Sequence, residues 1–123
     1  MKKKQRPLNI LITAGPTVEP IDPVRFISNF STGLMGYKIA AEAVRRGFRV
    51  CLISGPVCLS PVDGAELVNV TTAREMRERV IERLDHADCL IMAAAVCDFR
   101  PSDVKERKIK KDGKMTLEFV ENP

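Results

Sequence analysis

Apolar residues fall in short unbroken runs at "LNILIT" (8–13), "FRVCLIS" (48–54), "ELVNV" (66–70) and "DCLIMAAAV" (88–96). In "STGLMGYKIAAEAVRRGF" (31–48) and "AREMRERVIERLDHA" (73–87) they instead recur every three or four positions. Unbroken runs of this length suit strands covered on both faces, and the spaced pattern suits helices with one buried stripe. Gly47 marks the end of the first helix, and Thr71 or Thr72 the start of the second, with Glu75 placed for a capping box. The "DCLIMAAAV" run is expected as a buried strand. In "KIKKDGKMTLEFV" (108–120), Asp112-Gly113 between two alternating runs predicts a hairpin. The resulting β-α-β-β-α-β series predicts an α/β fold: a Rossmann-like, mostly parallel sheet with flanking helices and a C-terminal β-hairpin. No internal repeat or low-complexity linker interrupts it.

One interval breaks the rhythm. Residues 14–30 separate the first strand from the first helix, where α/β connections usually take about two to six residues, and long structureless loops are commonly functional.

Bulk composition narrows the classes. A chain of 123 residues, 45% hydrophobic and 29% charged, is one globular domain or less. It holds no apolar run near the roughly eighteen residues that cross a bilayer, so no membrane association is expected. Residues 1–7 read as a basic tail, and the apolar run behind them is too short for a signal-peptide core, which points to the cytoplasm. Cys51, Cys58, Cys89 and Cys97 form no C-x-x-C pair; with Cys51 and Cys89 inside apolar runs, they read as buried free thiols of a reducing compartment. The net charge of +4 comes without interleaved aromatics, Tyr37 being the single tyrosine and tryptophan absent, which disfavours nucleic acid and favours a small anionic ligand.

In parallel sheets of this kind, ligands bind beyond the carboxyl ends of the strands. Three segments converge there: the long loop, "SGPV" after the second strand, and "AAAVCDFRPSD" after the strand at 88–95. Ser31, Thr32 and Gly33 sit at the helix start, where unpaired N–H groups and the helix dipole favour a phosphate, and Gly33 and Gly36 allow close approach. Each has a plainer reading. The glycines could only pack the helix on the sheet, Arg25 could pair with Asp22 at the surface, Asn29 could cap the helix, and Asp98 could cap a loop before Pro101. Lys108, Lys110 and Lys111 could be a solvated face. The dinucleotide fingerprint is unmet, since Ser31 stands in place of its first glycine.

Read together, "ITAGPT.EPIDPVRFISN.STG.MG", "SGPV", "AAAV.DFRP" and "KIKK", in this order from Leu8 to Pro123, resemble phosphopantothenoylcysteine synthetase. This family, also called phosphopantothenate-cysteine ligase, acts in coenzyme A biosynthesis and is often fused to a flavin decarboxylase. The resemblance implies a Mg2+-dependent reaction in which the carboxylate of 4'-phosphopantothenate attacks the α-phosphate of CTP, giving an acyl-cytidylate and pyrophosphate. Cysteine's amine then displaces CMP.

By the same resemblance, Asn29 holds the acyl-cytidylate with support from Arg25, and Lys108 is a mobile lysine closing over the reacting phosphate. Gly15, Pro16, Thr17, Ser31, Thr32, Gly33, Gly36, Ser54, Ala94, Ala95, Asp98 and Asn122 fall to the nucleotide pocket. No residue is assigned as a metal ligand and no FMN is expected. A homodimer is implied for the complete family domain, with residues 108–120 near the interface or over the nucleotide.

Two departures stand out. Leu34 lies between the glycines where a basic residue is common, and the chain ends at "ENP" where the family continues, so the domain over 8–123 reads as incomplete. A non-catalytic nucleotide-binding or dimerisation fragment is the runner-up reading. A nicotinamide-dependent oxidoreductase ranks below it, since it needs a tight glycine turn after the first strand and an acidic residue where Ser54 ends the second.

Overall fold

The computed structural model describes residues 6–123. Strands β1 (Asn9–Ala14), β4 (Arg49–Ser54), β5 (Ala65–Asn69) and β6 (Cys89–Met92) form one four-stranded sheet in the order β5-β4-β1-β6. All three pairings are parallel, and β1 is central, with Asn9 opposite Arg49 and Ile10 opposite Cys89. The two remaining pairs, β2 (Val18–Pro20) with β3 (Phe26–Ser28) and β7 (Phe99–Pro101) with β8 (Phe119–Glu121), are small antiparallel sheets.

Alternation along β1 divides the core. Ile10, Ile12 and Ala14 pack with Val50 and Leu52 against Tyr37, Ala40 and Ala43 of helix α1 (Leu34–Arg45). On the opposite face, Leu11, Ile53 and Val70 meet Met76 of α2 (Ala73–Leu84). Gly47, at φ +87°, closes α1 with its N–H on the Val44 carbonyl at 2.9 Å. Thr72 caps α2 by accepting the Glu75 N–H at 3.2 Å, and the Glu75 carboxylate reaches back to the Thr71 N–H at 2.8 Å. The capping box therefore closes one residue further out than its simplest form.

The interval after β1 is structured, since β2 and β3 make a hairpin inside it. The C-terminal antiparallel pair also forms, but with different partners from those the turn signal suggested. Gly113 does take a left-handed φ of +67°, and the Lys114 N–H closes a tight turn on the Asp112 carbonyl at 2.7 Å. The flanking runs do not pair with each other. Instead 119–121 pairs back to 99–101, leaving 102–118 as an exposed strap. A three-residue turn sets local direction only, whereas the β7 partner supplies the ladder.

Strand β6 is also less buried than its composition suggests. As an edge strand with β1 on one side only, it leaves Cys89 and Met92 exposed, and only Cys97 of the four cysteines is buried. Of the basic tail at 1–7, residues 1–5 lie outside the described residues; Arg6 grips Asp88 through two contacts of 3.0 Å. This pairing holds the Asp88 carboxyl below its ordinary range, aided by the Asn9 N–H. No helix among the described residues is long and apolar enough to cross a membrane.

A side chain at Gly36 would place its Cβ 2.4 Å from that of Ala14. Gly36→Ala should therefore lower stability by about 1–3 kcal/mol through overpacking, read as a shifted urea midpoint at unchanged slope.

Candidate functional site

The carboxyl ends of β1, β4 and β6 meet the start of α1 at close range, with the Val57 side chain packed against Gly15 and Gly33. Gly15 and Gly33 adopt left-handed φ values of +75° and +81°, and a Cβ on Gly33 would lie 3.3 Å from the Gly15 Cα. Gly55, in the turn after β4, is tighter still, because a Cβ there would fall 1.7 Å from the Pro16 carbonyl oxygen. The Gly55 N–H meets the Ala14 carbonyl at 3.0 Å.

The segment after β6 zips onto the extension of β1. Ala93 and Ala95 donate to the carbonyls of Thr13 (3.1 Å) and Gly15 (2.8 Å), and Thr17 donates back to Ala95 at 3.2 Å. Asn29, just past β3, sends its side-chain amide to the carbonyls of Ala95 (3.3 Å) and Val96 (3.2 Å). With both amide hydrogens so used, its Oδ1 is left as an acceptor at the rim. Asn29 thus fastens the hairpin to the crevice loop and does not cap α1, whose N-cap is Gly33. Ser31 and Thr32 stand exposed at the helix start, their hydroxyls accepting the N–H groups of Gly33 and Leu34 at 3.3 and 3.2 Å.

Gly15, Pro16, Asn29, Gly33 and Ala95 therefore meet beyond the end of β1, with Ser31 and Thr32 exposed at the adjoining helix start, whereas Ala94 packs half-buried against the Leu11, Ile53, Val70 and Met76 cluster. Others of the expected residues are nearby but occupied. Thr17 is fully buried, its hydroxyl accepting the Cys97 N–H at 2.9 Å and its carbonyl the Ser28 hydroxyl at 2.7 Å. Ser54 is fully buried between the Tyr37 hydroxyl (2.8 Å) and the Gly55 carbonyl (2.7 Å). Gly36 packs on Ala14. The Asn122 amide donates to Cys97 (2.7 Å) and Glu19 (3.1 Å) and accepts from Arg100 (3.2 Å), so its polar atoms are spent inside the protein. The Asp98 carboxylate takes no hydrogen bond among the described residues, while its carbonyl receives the Asn122 N–H at 2.7 Å. Lys108 is exposed on the strap.

Arg25 does pair with Asp22, at 2.6 Å, but the Asp22 side chain is wholly buried and not at the surface. Its carboxylate also accepts the N–H groups of Val24 (2.9 Å), Arg25 (2.8 Å) and Ile109 (3.0 Å). These donors, Ile109 foremost, hold the carboxyl down to about 2 from an ordinary 3.8.

Sequence reasoning missed Glu19, a buried carboxylate in β2 that accepts the Ala73 N–H at 3.0 Å, at the start of α2. It also missed Gly55, whose "SGPV" setting was the available signal. A cavity of about 540 Å³ at the opposite end of the sheet, lined by Leu11, Phe48, Cys51 and Arg83, holds no such convergence. Its Arg83 is already paired with Glu66 at 3.4 Å.

Residues 6–123 match the family described as DNA/pantothenate metabolism flavoprotein C-terminal domain. The chain belongs to this family. Relatives within it include the coenzyme A biosynthesis bifunctional protein CoaBC of Bacillus subtilis strain 168, 54% identical over 113 residues, covering 90% of this chain and 28% of that protein. CoaBC of Escherichia coli K12 is 48% identical over 120 residues, covering 94% and 30%. The crystal structure of the C-terminal domain of CoaBC superposes with a TM-score of 0.83 at 44% identity, covering 94% of this chain and 54% of that one. The family resemblance carried by the four motifs is thereby shown. The chain spans about a third or less of these curated relatives, and about half of the solved domain.

Thr17→Val removes the acceptor of a buried N–H and should cost about 1–3 kcal/mol. Thr17→Ser, which keeps the oxygen, should lose markedly less by urea denaturation. Because the Asp22 pKa is lowered on folding, its stabilising contribution is present above the ordinary value of 3.8 and lost as pH falls through about 2. Carboxyl 13C NMR should accordingly place the Asp22 midpoint near 2.

Proposed function

We propose that the full-length protein carrying this chain ligates 4'-phosphopantothenate to cysteine at the expense of CTP, through an acyl-cytidylate, in coenzyme A biosynthesis. The observation that carries this reading is the meeting of Gly15, Gly33, Asn29 and Ala95 at the end of the central strand, on a chain 54% identical to a CoaBC protein. A crevice walled by backbone and small residues can admit a nucleotide, and the positive end of the α1 dipole suits its phosphates.

In this reading the pantothenate carboxylate attacks the α-phosphorus, a P–O bond to pyrophosphate breaks, and the mixed anhydride forms. Cysteine's amine then attacks the acyl carbon and CMP leaves. Lys108 supplies positive charge to the phosphates as pyrophosphate departs. Asn29 holds the intermediate through its outward Oδ1, and the unengaged Nη2 and Nε of Arg25 support it. Ala95 leaves room for base or ribose, and Asp98 offers an exposed carboxylate to the ribose or base amine.

Mg2+ belongs to the same reading. An Mg2+ ion of this kind keeps several waters and is held mainly by substrate phosphates. It would supply charge neutralisation there.

Homodimerisation is a further part of the proposal. Phe26 and Phe30 are exposed, and Ile27, Phe99 and Phe119 line one shallow apolar depression, a feature typical of interaction faces. A cytoplasmic location, and a flavin decarboxylase as fused domain or partner, complete it. The runner-up, a binding fragment without turnover, is favoured for the 123-residue chain by the open β6 edge, where Met92 is 71% exposed.

Pyrophosphate release by the full-length protein should require CTP, 4'-phosphopantothenate and Mg2+ together; tighter binding of a nicotinamide dinucleotide than of CTP rejects the reading. Lys108→Gln should suppress acyl-cytidylate formation about a hundred- to a thousandfold. Asn29→Asp should slow the cysteine step while CTP still reacts, so that rapid quench finds intermediate accumulating in the Asn29 variant and missing in the Lys108 variant.

A further inference from the structure

The strap between β7 and β8 contains no helix or strand and carries Lys108 in the middle of an exposed, strongly basic run. Among the described residues, every hydrogen bond from 103–117 to the rest of the protein ends on three neighbouring residues of the β2–β3 turn. Lys105 donates its N–H to the Ile21 carbonyl at 2.9 Å. The Ile109 N–H donates to Asp22 Oδ2 at 3.0 Å, and the Ile109 carbonyl accepts from Arg25 Nη1 at 3.2 Å. Ile109 is therefore held at both of its backbone polar groups. Lys108, immediately before it, makes no side-chain hydrogen bond among the described residues and extends from a fixed backbone.

Asp22 is the hub of this clasp. Its Oδ1 takes the N–H groups of Val24 and Arg25, which fixes the turn, and its Oδ2 takes Ile109 and the Arg25 guanidinium, which fixes the strap to the turn. The carboxylate is fully buried, and four donors satisfy it. A polar group in such a place is costly to leave half-paired, so turn and strap are ordered together. The connection continues to the crevice, because β3 leads directly to Asn29 and its bonds to Ala95 and Val96.

We infer that Asp22 is a positioning residue for the ligation: it latches the strap so that the Lys108 ammonium is presented to the phosphates from a fixed backbone. The inference rests on the role given to Lys108 above. It also gives Arg25 a task besides touching an intermediate, since Nη1 bridges Asp22 and Ile109 while the rest of the guanidinium stays available. Misplacing a catalytic group by about an ångström can cost on the order of a hundredfold in rate, so a buried carboxylate that never meets substrate can still govern turnover.

The test uses the full-length protein and Asp22→Asn, whose amide would oppose the Ile109 N–H and the Arg25 guanidinium. Trypsin should cut within residues 105–111 at least about tenfold faster than in the parent, reflecting a lower local opening energy. The kcat for pyrophosphate release should fall about ten- to a hundredfold with the KM for CTP nearly unchanged. Combining Asp22→Asn with Lys108→Gln should be no worse than Lys108→Gln alone, because a latch has nothing left to position.

Unchanged cleavage in Asp22→Asn, or losses that multiply in the double variant, would overturn the inference. Parent-like pyrophosphate release by Lys108→Gln would overturn the role of that lysine, and strap cleavage would then judge the latch by itself. Should Asp22→Asn not fold, hydrogen exchange on the unmodified protein decides. The amides of Lys105 and Ile109 should be protected relative to those of Arg107 and Lys110, and exchange as fast as in an unfolded peptide refutes the latch.

Discussion

Everything at the working end of this domain depends on how closely backbones approach one another beyond β1. Gly36 lets α1 sit on Ala14, Gly33 lets the helix start touch Gly15, and Gly55 lets the β4 turn lie on the Pro16 carbonyl. The first and last of these leave no room for a methyl group, and the second leaves little. Glycine costs conformational entropy on folding, and here that cost is offset by backbone pairing across the gap, the Gly55 N–H on Ala14 and the Ala95 N–H on Gly15. The sheet order follows suit: β1 is central and its neighbours β4 and β6 deliver their own turns to the same spot.

Much of this was legible in the residues. The 3.6-residue spacing of α1 and α2, the cap at Gly47, the box at Thr72 and the apolar runs of β1 and β4 are local signals, and each has its local cause in the structure. The signals that misled depended on partners far along the chain. Asp112-Gly113 forms a turn, yet strand pairing was settled by residues 99–101, because a turn without a cross-strand partner directs the chain but does not build a ladder. The run at 88–96 is apolar enough for an interior strand, and its exposure at Cys89 and Met92 comes from its place at the sheet edge, which composition does not encode.

The polar residues illustrate the same division. Asn29 and Arg25 stood out because an amide and a guanidinium beside a helix start have obvious uses. Asp22 and Glu19 did not, because a carboxylate in a proline-bearing turn reads as surface until its donors are found: Ile109 lies 87 positions from Asp22 and Asn122 lies 103 from Glu19. Thr17 and Ser54, expected at the ligand, hold the wall up from behind, and a small hydroxyl residue in a motif gives no sign of which side of the backbone it serves.

Glu19 joins parts that the topology keeps separate. One of its oxygens receives both the first N–H of α2 and the Asn122 amide, whose other hydrogen goes to Cys97 in the segment after β6. An anion at a helix start is favoured by the dipole, and this one also fastens β8 and the segment at Cys97. The hairpin is stitched to the same place by the Val18 N–H on Thr71 at 2.7 Å. The smallest unit able to open there is consequently neither a helix nor a hairpin alone, but the first turn of α2, β2 and β8 together, a cooperative block assembled from three distant stretches of sequence.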